Sequence, residues 1–205
     1  MSPRILLVVA PLCAGLASSA SASLYFSSGP SIAGLGTFTG SMTFVATGST
    51  TGQLSVELTN TSPLANSGWL TGFAFNVVDG VTLALASPSS GWNLLVNASG
   101  SPYGIFDFGA STSASWEGGG PPSNGIAIGA SQTTVFNVTA SAAVLATLTD
   151  SSFFDASGGS AFIARFRGFA NGGSDKVLGV TEQMPAPGAL ALLVVAGLAG
   201  ARRRR

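Results

Sequence analysis

The 205-residue sequence contains no histidine, only one cysteine and few charged residues, which make up 8% of the chain. Without histidine, a Ser-His-Asp triad cannot be built. A serine–lysine variant would depend on Lys176, the only lysine, which follows a Gly-Gly-Ser-Asp turn. The residue content therefore argues against hydrolysis by an activated serine.

The scarcity of cysteine and histidine also bears on metals and disulfides. Cys13 lies in an apolar N-terminal run, and zinc and copper normally need cysteine or histidine ligands. Calcium can be bound by oxygen atoms alone, and Asp155, Asn171 and Asp175 are the available candidates, although no D-x-D-x-D-G loop is present. We predict no metal, no cofactor and a domain that is stabilised by its core without a disulfide.

The formal net charge of zero hides an uneven distribution of charge. Residues 24–183 contain eight acids and three bases, which gives this region a net charge of −5, whereas the other five bases lie in the two end segments. A mildly acidic domain is not expected to bind nucleic acid through a basic face.

Apolar residues are plentiful, at 46% of the chain, with 13 Phe and 3 Trp. Disordered segments combine low hydrophobicity with high net charge, and this chain has neither property. The ~160 residues between the two end segments suit a single folded domain.

Residues 1–22 have the pattern of a secretory signal peptide. Arg4 supplies the charged start, an apolar run follows, and Ala20-Ser21-Ala22 fits the A-x-A cleavage rule, which places the mature start near Ser23. A lipoprotein signal at Cys13 is the alternative, but Pro11 stands where small residues usually precede the lipidated cysteine. We therefore expect an exported protein.

Residues 184–205 read MPAPGALALLVVAGLAGARRRR and have three parts in fixed order. A proline-rich turn comes first, then an uncharged apolar run over residues 189–201, which suits a helix in lipid. The last part is basic and should stay on the cytoplasmic side of the membrane. The turn is Pro185, Ala186, Pro187 and Gly188, and the basic residues are Arg202, Arg203, Arg204 and Arg205.

This tail resembles the PEP-CTERM sorting signal of Gram-negative bacteria. Pro185, Pro187 and Gly188, the apolar run and the arginines match that signal, whereas Ala186 replaces the usual Glu. The resemblance implies a partner, an exosortase, which is a membrane cysteine enzyme that cleaves near the motif. It also implies a precursor held transiently in the inner membrane, followed by delivery to the cell surface or extracellular matrix.

A plain membrane anchor is the alternative for this tail. The apolar segment from Gly188 to Ala201 has 14 residues, which would form a helix of about 21 Å, whereas a typical span takes about 20 residues. A permanent anchor of this length would be short and would not need the proline-rich turn.

Residues 23–183 have the pattern of an all-β domain. Short runs of β-branched and aromatic residues are separated by Gly, Ser, Asn and Pro every eight to twelve positions, which predicts an antiparallel β-sandwich of jelly-roll type. Asp79-Gly80 predicts a hairpin between its flanking strands. Residues 140–148 fit either a short helix or a strand. The predicted strands cover residues 36–46, 53–60, 70–78, 81–86, 92–96, 104–108, 125–128, 135–139, 161–170 and 178–181.

Two kinds of binding or catalytic residue remain to be considered. Glycan hydrolysis needs two carboxylates across a cleft, but no two acids lie in a motif with catalytic spacing, and Asp79, Asp150 and Asp155 lie in turn-like contexts. Sugar stacking would need an exposed aromatic ring, and Trp116, just before the polar loop 117–124, is the best candidate beside Trp69 and Trp92. Burial in the core is the competing interpretation for all three.

Asn60, Asn97 and Asn137 begin N-x-[ST] sequences.

The sequence thus predicts a non-enzymatic, exported surface or matrix protein with a structural or adhesive β-domain. A carbohydrate-binding module displayed at the cell surface is the main alternative, and a hydrolase is the third.

Overall fold

A computed structural model describes residues 23–86 and 91–181, and these ranges form an all-β domain. The predicted signal peptide and sorting signal lie outside the described residues. The strands are β1 (Leu24–Ser31), β2 (Phe38–Ala46), β3 (Thr51–Asn60), β4 (Ser67–Phe75), β5 (Val81–Leu85), β6 (Asn93–Ser99), β7 (Ile105–Ser111), β8 (Ser131–Ala140), β9 (Phe162–Phe169) and β10 (Ser174–Thr181). A short helix, α1 (Ala142–Leu145), and 3₁₀ turns at Leu64–Asn66, Pro122–Asn124 and Asp150–Phe153 lie between strands.

All ten strands belong to one antiparallel sheet, in the order β5-β8-β3-β2-β1-β10-β9-β4-β7-β6. The predicted all-β class is confirmed, but the two separate sheets of a sandwich are replaced by one continuous sheet. The sheet curls until its edge strands, β5 and β6, approach each other. Strands β1 and β10, the first and the last, are neighbours in its centre.

The main core lies on the concave side of this curled sheet. Phe73 of β4 and Phe136 of β8 are far apart in strand order, yet their ring centroids are 6.1 Å apart. Phe26 and Phe162 are closer still, at 4.6 Å. Burial of each such ring stabilises the fold by roughly 1.5–3 kcal/mol, so these contacts between distant strands help to hold the sheet in its curled form.

Strand β3 shows why the alternating segments were predictable. Leu54, Val56 and Leu58 are buried, whereas Glu57 between them is exposed, because successive side chains of a strand point to opposite faces. The outward positions of β1, β2, β3 and β8 are mostly Ser and Thr.

The hairpin predicted at Asp79-Gly80 is wrong. The turn itself forms, with Gly80 at φ +83°, but β4 pairs with β7 and β9, and β5 pairs with β8. Every residue of β4 from Leu70 to Phe75 is buried, so this strand needs cover on both faces and lies inside the sheet. Strand β5 continues to an edge instead.

Three other local predictions need correction or completion. The sequence pattern does not predict strand β1, because Gly29-Pro30 interrupt its alternation. Residues 125–128 form two isolated bridges instead of a strand. Residues 140–148 contain a helix, α1, and Ser141 Oγ accepts a hydrogen bond from Val144 N at its start, as is usual for an N-cap serine.

A second, smaller apolar cluster lies on the outer face of the sheet. It consists of Ala74, Leu95, Ala98, Phe106, Trp116 and Ile163. Residues 112–120 cross this face from the end of β7, and we call them the strap.

None of the helices in the described ranges is long and apolar enough to cross a membrane.

Candidate functional site

Trp116 belongs to the strap, and its side chain is buried against the sheet and does not present an open ring face. Its side chain is 5% exposed and packs in the outer apolar cluster, which includes Ile163 of β9 and Ala74 of β4. Sugar stacking requires an accessible ring. The position of Trp116 therefore agrees with the competing interpretation, burial in an apolar cluster. Trp92 is buried in the main core, and Trp69 is half-buried beside Gly168.

The strap also brings an acid onto two bases that are distant in sequence. Lys176 of β10 lies directly opposite Arg165 of β9. Glu117 accepts from both, with Arg165 Nη1 2.9 Å from its Oε2 and Lys176 Nζ 3.2 Å from its Oε1. Arg165 Nη2 also donates to the Glu117 carbonyl oxygen. The sequence analysis missed this cluster, since its members are separated by dozens of residues.

All three bases of the described ranges meet at this strap. Arg167, two residues beyond Arg165 on the same face, donates to the Gly119 carbonyl oxygen at 3.3 Å. Against Arg165, Arg167 and Lys176, the only acid in hydrogen-bond contact within the described residues is Glu117. The strap is therefore held electrostatically as well as by the Trp116 ring.

Burial raises the pKa of the Glu117 carboxyl, but the charge of Arg165 and the hydrogen bond from Lys176 outweigh it, so this pKa lies below its ordinary value of 4.5. Glu117 itself is 68% exposed, whereas Arg165 is 8% exposed. Glu117 is thus ionised at neutral pH and serves to balance a buried cation. A proton donor in catalysis would need the opposite shift.

Two polar donors beneath the strap have no acceptor among the described residues. They are Trp116 Nε1 and Arg165 Nε. A buried donor without a partner costs roughly 1–3 kcal/mol.

The Asp175 carboxylate is engaged by backbone N–H groups. Its carboxylate is 1% exposed and accepts from the backbone N–H groups of Ala33, Leu35 and Gly36 at 2.8–3.0 Å. Ser31 Oγ donates to it as well. The carboxylate thereby fixes the loop between β1 and β2.

The other two calcium candidates are also engaged locally. Asp155 accepts from Ser157, and the Asn171 side chain accepts from Gly173 N at 2.9 Å. Within residues 23–86 and 91–181, no three acidic or thiol side chains come together in a way that could hold a metal ion.

One pair of carboxylates does share a pocket. Asp79 and Asp107 line a cavity of about 210 Å³ with Asn97 and residues of β5 and β7. Asp107 Oδ2 accepts from Val77 N at 3.0 Å, and Asp107 N donates to Asn76 Oδ1. The Asp107 carboxylate thus holds the end of β4, which is a structural role.

The three N-x-[ST] asparagines are not equivalent. Asn60 is completely buried, donates to the Ile126 carbonyl oxygen at 2.9 Å and accepts from Ser62 N. It could not carry a glycan in this fold. Asn97 and Asn137 are exposed on β6 and β8.

The two ends of the domain emerge side by side. Strands β1 and β10 are antiparallel neighbours, and Phe26 pairs with Thr181. Ser23, directly after the predicted cleavage point, lies with its Oγ 2.7 Å from Thr43 Oγ1 of β2. The chain therefore enters and leaves the domain at the same end of the sheet.

The predicted processing residues lie outside the described ranges. They are Ala20 and Ala22, the turn Pro185, Ala186, Pro187 and Gly188, and Arg202, Arg203, Arg204 and Arg205. No protein-family model, curated protein or solved structure matches this chain.

Proposed function

We propose that the chain is an exported, exosortase-sorted protein of the cell surface or extracellular matrix, and that its β-domain has a structural or adhesive role without catalysis. The observation that carries the proposal is the tail, with its Pro185-Ala186-Pro187-Gly188 turn, short apolar run and four terminal arginines in that order. The signal-peptide pattern of residues 1–22 supports the same route.

The adjacency of the domain ends supports this route as well. A precursor with an uncleaved signal peptide and an apolar tail would be held in one membrane at two points. Because Phe26 and Thr181 pair across neighbouring strands, both segments can reach the same membrane without distorting the sheet. Strand β10 ends at Thr181, three residues before Met184, so the domain would sit close to the membrane surface.

The uses of the acidic side chains support a role without catalysis. Asp175 and Asp107 accept from backbone N–H groups, and Glu117 balances Arg165 and Lys176. Each carboxylate holds a loop or strand end in place. A rigid domain with a Ser/Thr-rich surface suits a component of a hydrated matrix.

The test compares tail variants in a host that contains an exosortase. Mass spectrometry of the surface fraction should find protein that lacks Arg202 to Arg205 and ends near Pro187. Deleting the four arginines should release uncut protein, whereas deleting residues 185–187 should leave uncut protein in the inner membrane. A variant with four lysines in place of the arginines is the matched control and should be sorted normally, since the positive charge is kept.

Surface protein with the tail intact, at normal abundance and with the exosortase present, would contradict sorting and leave a simple anchor. The export step is tested separately by N-terminal sequencing, which should begin at or near Ser23. An intact Met1 or a lipidated Cys13 would overturn the signal-peptide prediction.

A further inference from the structure

A shallow cleft on the outer face of β1, β2 and β3 combines an aromatic ring, a carboxylate and several hydroxyl groups. It has a volume of about 210 Å³ and is lined by Tyr25, Thr39, Gly40, Ser41, Glu57 and Thr59. From this combination we propose that the cleft binds a neutral glycan, with Tyr25 and Glu57 as its principal contacts. The inference goes beyond the proposed sorting and does not depend on it.

The strand register creates the cleft. Tyr25 lies opposite Ser41, and Ser41 lies opposite Glu57, so one row of side chains crosses three strands. In the next row, Thr39 lies opposite Thr59. Outward side chains on neighbouring strands are about 5 Å apart, so the two rows form one continuous patch of aromatic, carboxylate and hydroxyl groups.

Gly40 lies between Thr39 and Ser41, on the strand beneath the cleft. On the concave side, a Cβ at this position would lie 2.6 Å from Cζ of Phe26 and 2.7 Å from Cδ2 of Leu58. The glycine therefore lets the Phe26 ring and the Leu58 side chain approach the β2 backbone. Both side chains are buried, so the floor of the cleft is backed by the main core.

Tyr25 provides the stacking surface. Its side chain is 44% exposed, although it lies in a central strand, β1, and the next residue, Phe26, is buried. An exposed tyrosine has an apolar ring for the C–H face of a pyranose and a hydroxyl for a hydrogen bond. Trp116, the ring that the sequence favoured, lacks this exposure.

Glu57 provides the directional contact. Its exposed carboxylate can accept two hydrogen bonds from vicinal sugar hydroxyls, and Ser41 and Thr59 can donate or accept beside it. Thr59 Oγ1 lies 2.7 Å from Ser131 Oγ of β8, which continues the line of hydroxyls beyond the cleft. An extended glycan could follow this line across the sheet.

The charge distribution selects neutral glycans over acidic ones. Glu57 is the only charged residue in β1, β2, β3, β5 and β8. The three bases of the described ranges, Arg165, Arg167 and Lys176, lie in β9 and β10. An acidic sugar in the cleft would thus face a carboxylate with no cation to compensate for it.

The test is calorimetric titration of the purified full chain in mild detergent. The probes are hexamers of β-1,4-linked glucose and α-1,4-linked glucose, with a galacturonate hexamer as the acidic probe. We expect saturable binding of a neutral hexamer with a Kd of about 0.1–1 mM, as befits an open cleft, and no binding of the acidic one. Tyr25→Ala and Glu57→Gln should each weaken binding about tenfold or more.

Two controls make the result specific. Tyr25→Phe keeps the ring and should retain binding within about threefold, which corresponds to loss of one hydrogen bond. Asp79→Asn removes a carboxylate at a separate pocket and should bind as the unmodified chain does. Circular dichroism must show that each variant is folded.

Several outcomes would overturn the proposal. These are binding of neither neutral hexamer, equal binding of the galacturonate hexamer, or binding that Tyr25→Ala leaves unchanged. Sedimentation velocity addresses a second copy as the occupant, since a dimer that Tyr25→Ala dissociates would make this face a protein interface. Failure of export or sorting would leave these measurements unaffected.

Discussion

Arg165 and Glu117 are joined twice, once through the side-chain carboxylate at 2.9 Å and once through the Glu117 carbonyl oxygen at 3.0 Å. The charge attraction of the first contact depends on ionisation of Glu117, whereas the second contact does not. The buried guanidinium thus keeps its bond to the carbonyl oxygen at any pH, and its interaction with the carboxyl weakens when that group is protonated.

Glu117→Gln should lower stability at neutral pH by at most ~1 kcal/mol, because the pair is largely exposed on the Glu117 side. The pKa of Glu117 is lowered in the folded state, so its contribution is complete above the ordinary value of 4.5 and is lost as pH falls through the lowered pKa. Thermal unfolding from pH 7 downwards should therefore show the two proteins converging in acid. Glu57→Gln is the matched control for the loss of an exposed carboxylate. If the stability difference between the unmodified protein and Glu117→Gln were the same at every pH, this interpretation would be contradicted.

Asp175→Asn should destabilise the domain by about 3 kcal/mol. The amide NH₂ group of Asn is a donor, and it would replace a carboxylate oxygen that accepts from backbone N–H groups in the unmodified protein. The affected contacts are those from Leu35 N and Gly36 N. Urea unfolding measures the loss. Asp79→Asn, at an exposed position, should change stability by less than ~0.5 kcal/mol, and equal effects of the two substitutions would refute the role of Asp175.

Chelation and reduction should leave the melting temperature unchanged. Asp175 is occupied by N–H donors, Asp155 by Ser157, and the only cysteine is Cys13. Scanning calorimetry with and without EDTA, and with and without reductant, checks both points. A fall of several degrees in EDTA would mean that an ion stabilises the domain.

Trp116→Ala should cost about 3–5 kcal/mol, the usual range for removing a buried large aromatic side chain. Trp116→Phe should cost much less, under ~1.5 kcal/mol, because the lost area is partly offset by removal of the unpartnered Nε1 donor. Urea unfolding separates the two. If alanine costs no more than phenylalanine, the strap is held by its ion pairs and not by the ring.

Gly109→Ala should cost about 3 kcal/mol or more through overpacking. A Cβ at this position would collide with the Phe73 carbonyl oxygen and lie 2.7 Å from Ala74 Cα, which are backbone atoms that cannot move aside. Gly119→Ala is the matched control, because no atom lies within 4 Å of its Cβ position. Similar melting temperatures for the two variants would show that the β4 backbone does not lie close enough to Gly109 to exclude a Cβ.

The alternating strands could be predicted because burial on one face leaves a period of two in the sequence, as in β3. Their partners could not, because pairing depends on residues far apart in the chain. The Asp79-Gly80 turn has the residues of a hairpin, yet β4 is apolar on both faces and needs neighbours other than β5. That same two-sided pattern, seen again in β9, was the available signal for a second apolar layer.

The candidate sites divide in the same way. Trp116 was identified as a residue of interest, but its burial depends on Ile163 and Ala74, which arrive from other strands. Tyr25 was not singled out, because its exposure and its position opposite Ser41 exist only in the folded sheet. The proposed processing signals are different, since they are linear patterns and their prediction rests on sequence order alone.

The adjacency of β1 and β10 sets an order of events during synthesis. Strand β1 can pair with β2 early, but its other edge stays open until β10 has been made. Pairing between strands so distant in the chain is slow to form. In the proposed export route, the last central strand would be complete only just before Pro185 follows, so a chain that reaches the proposed sorting step would already contain every strand of its sheet.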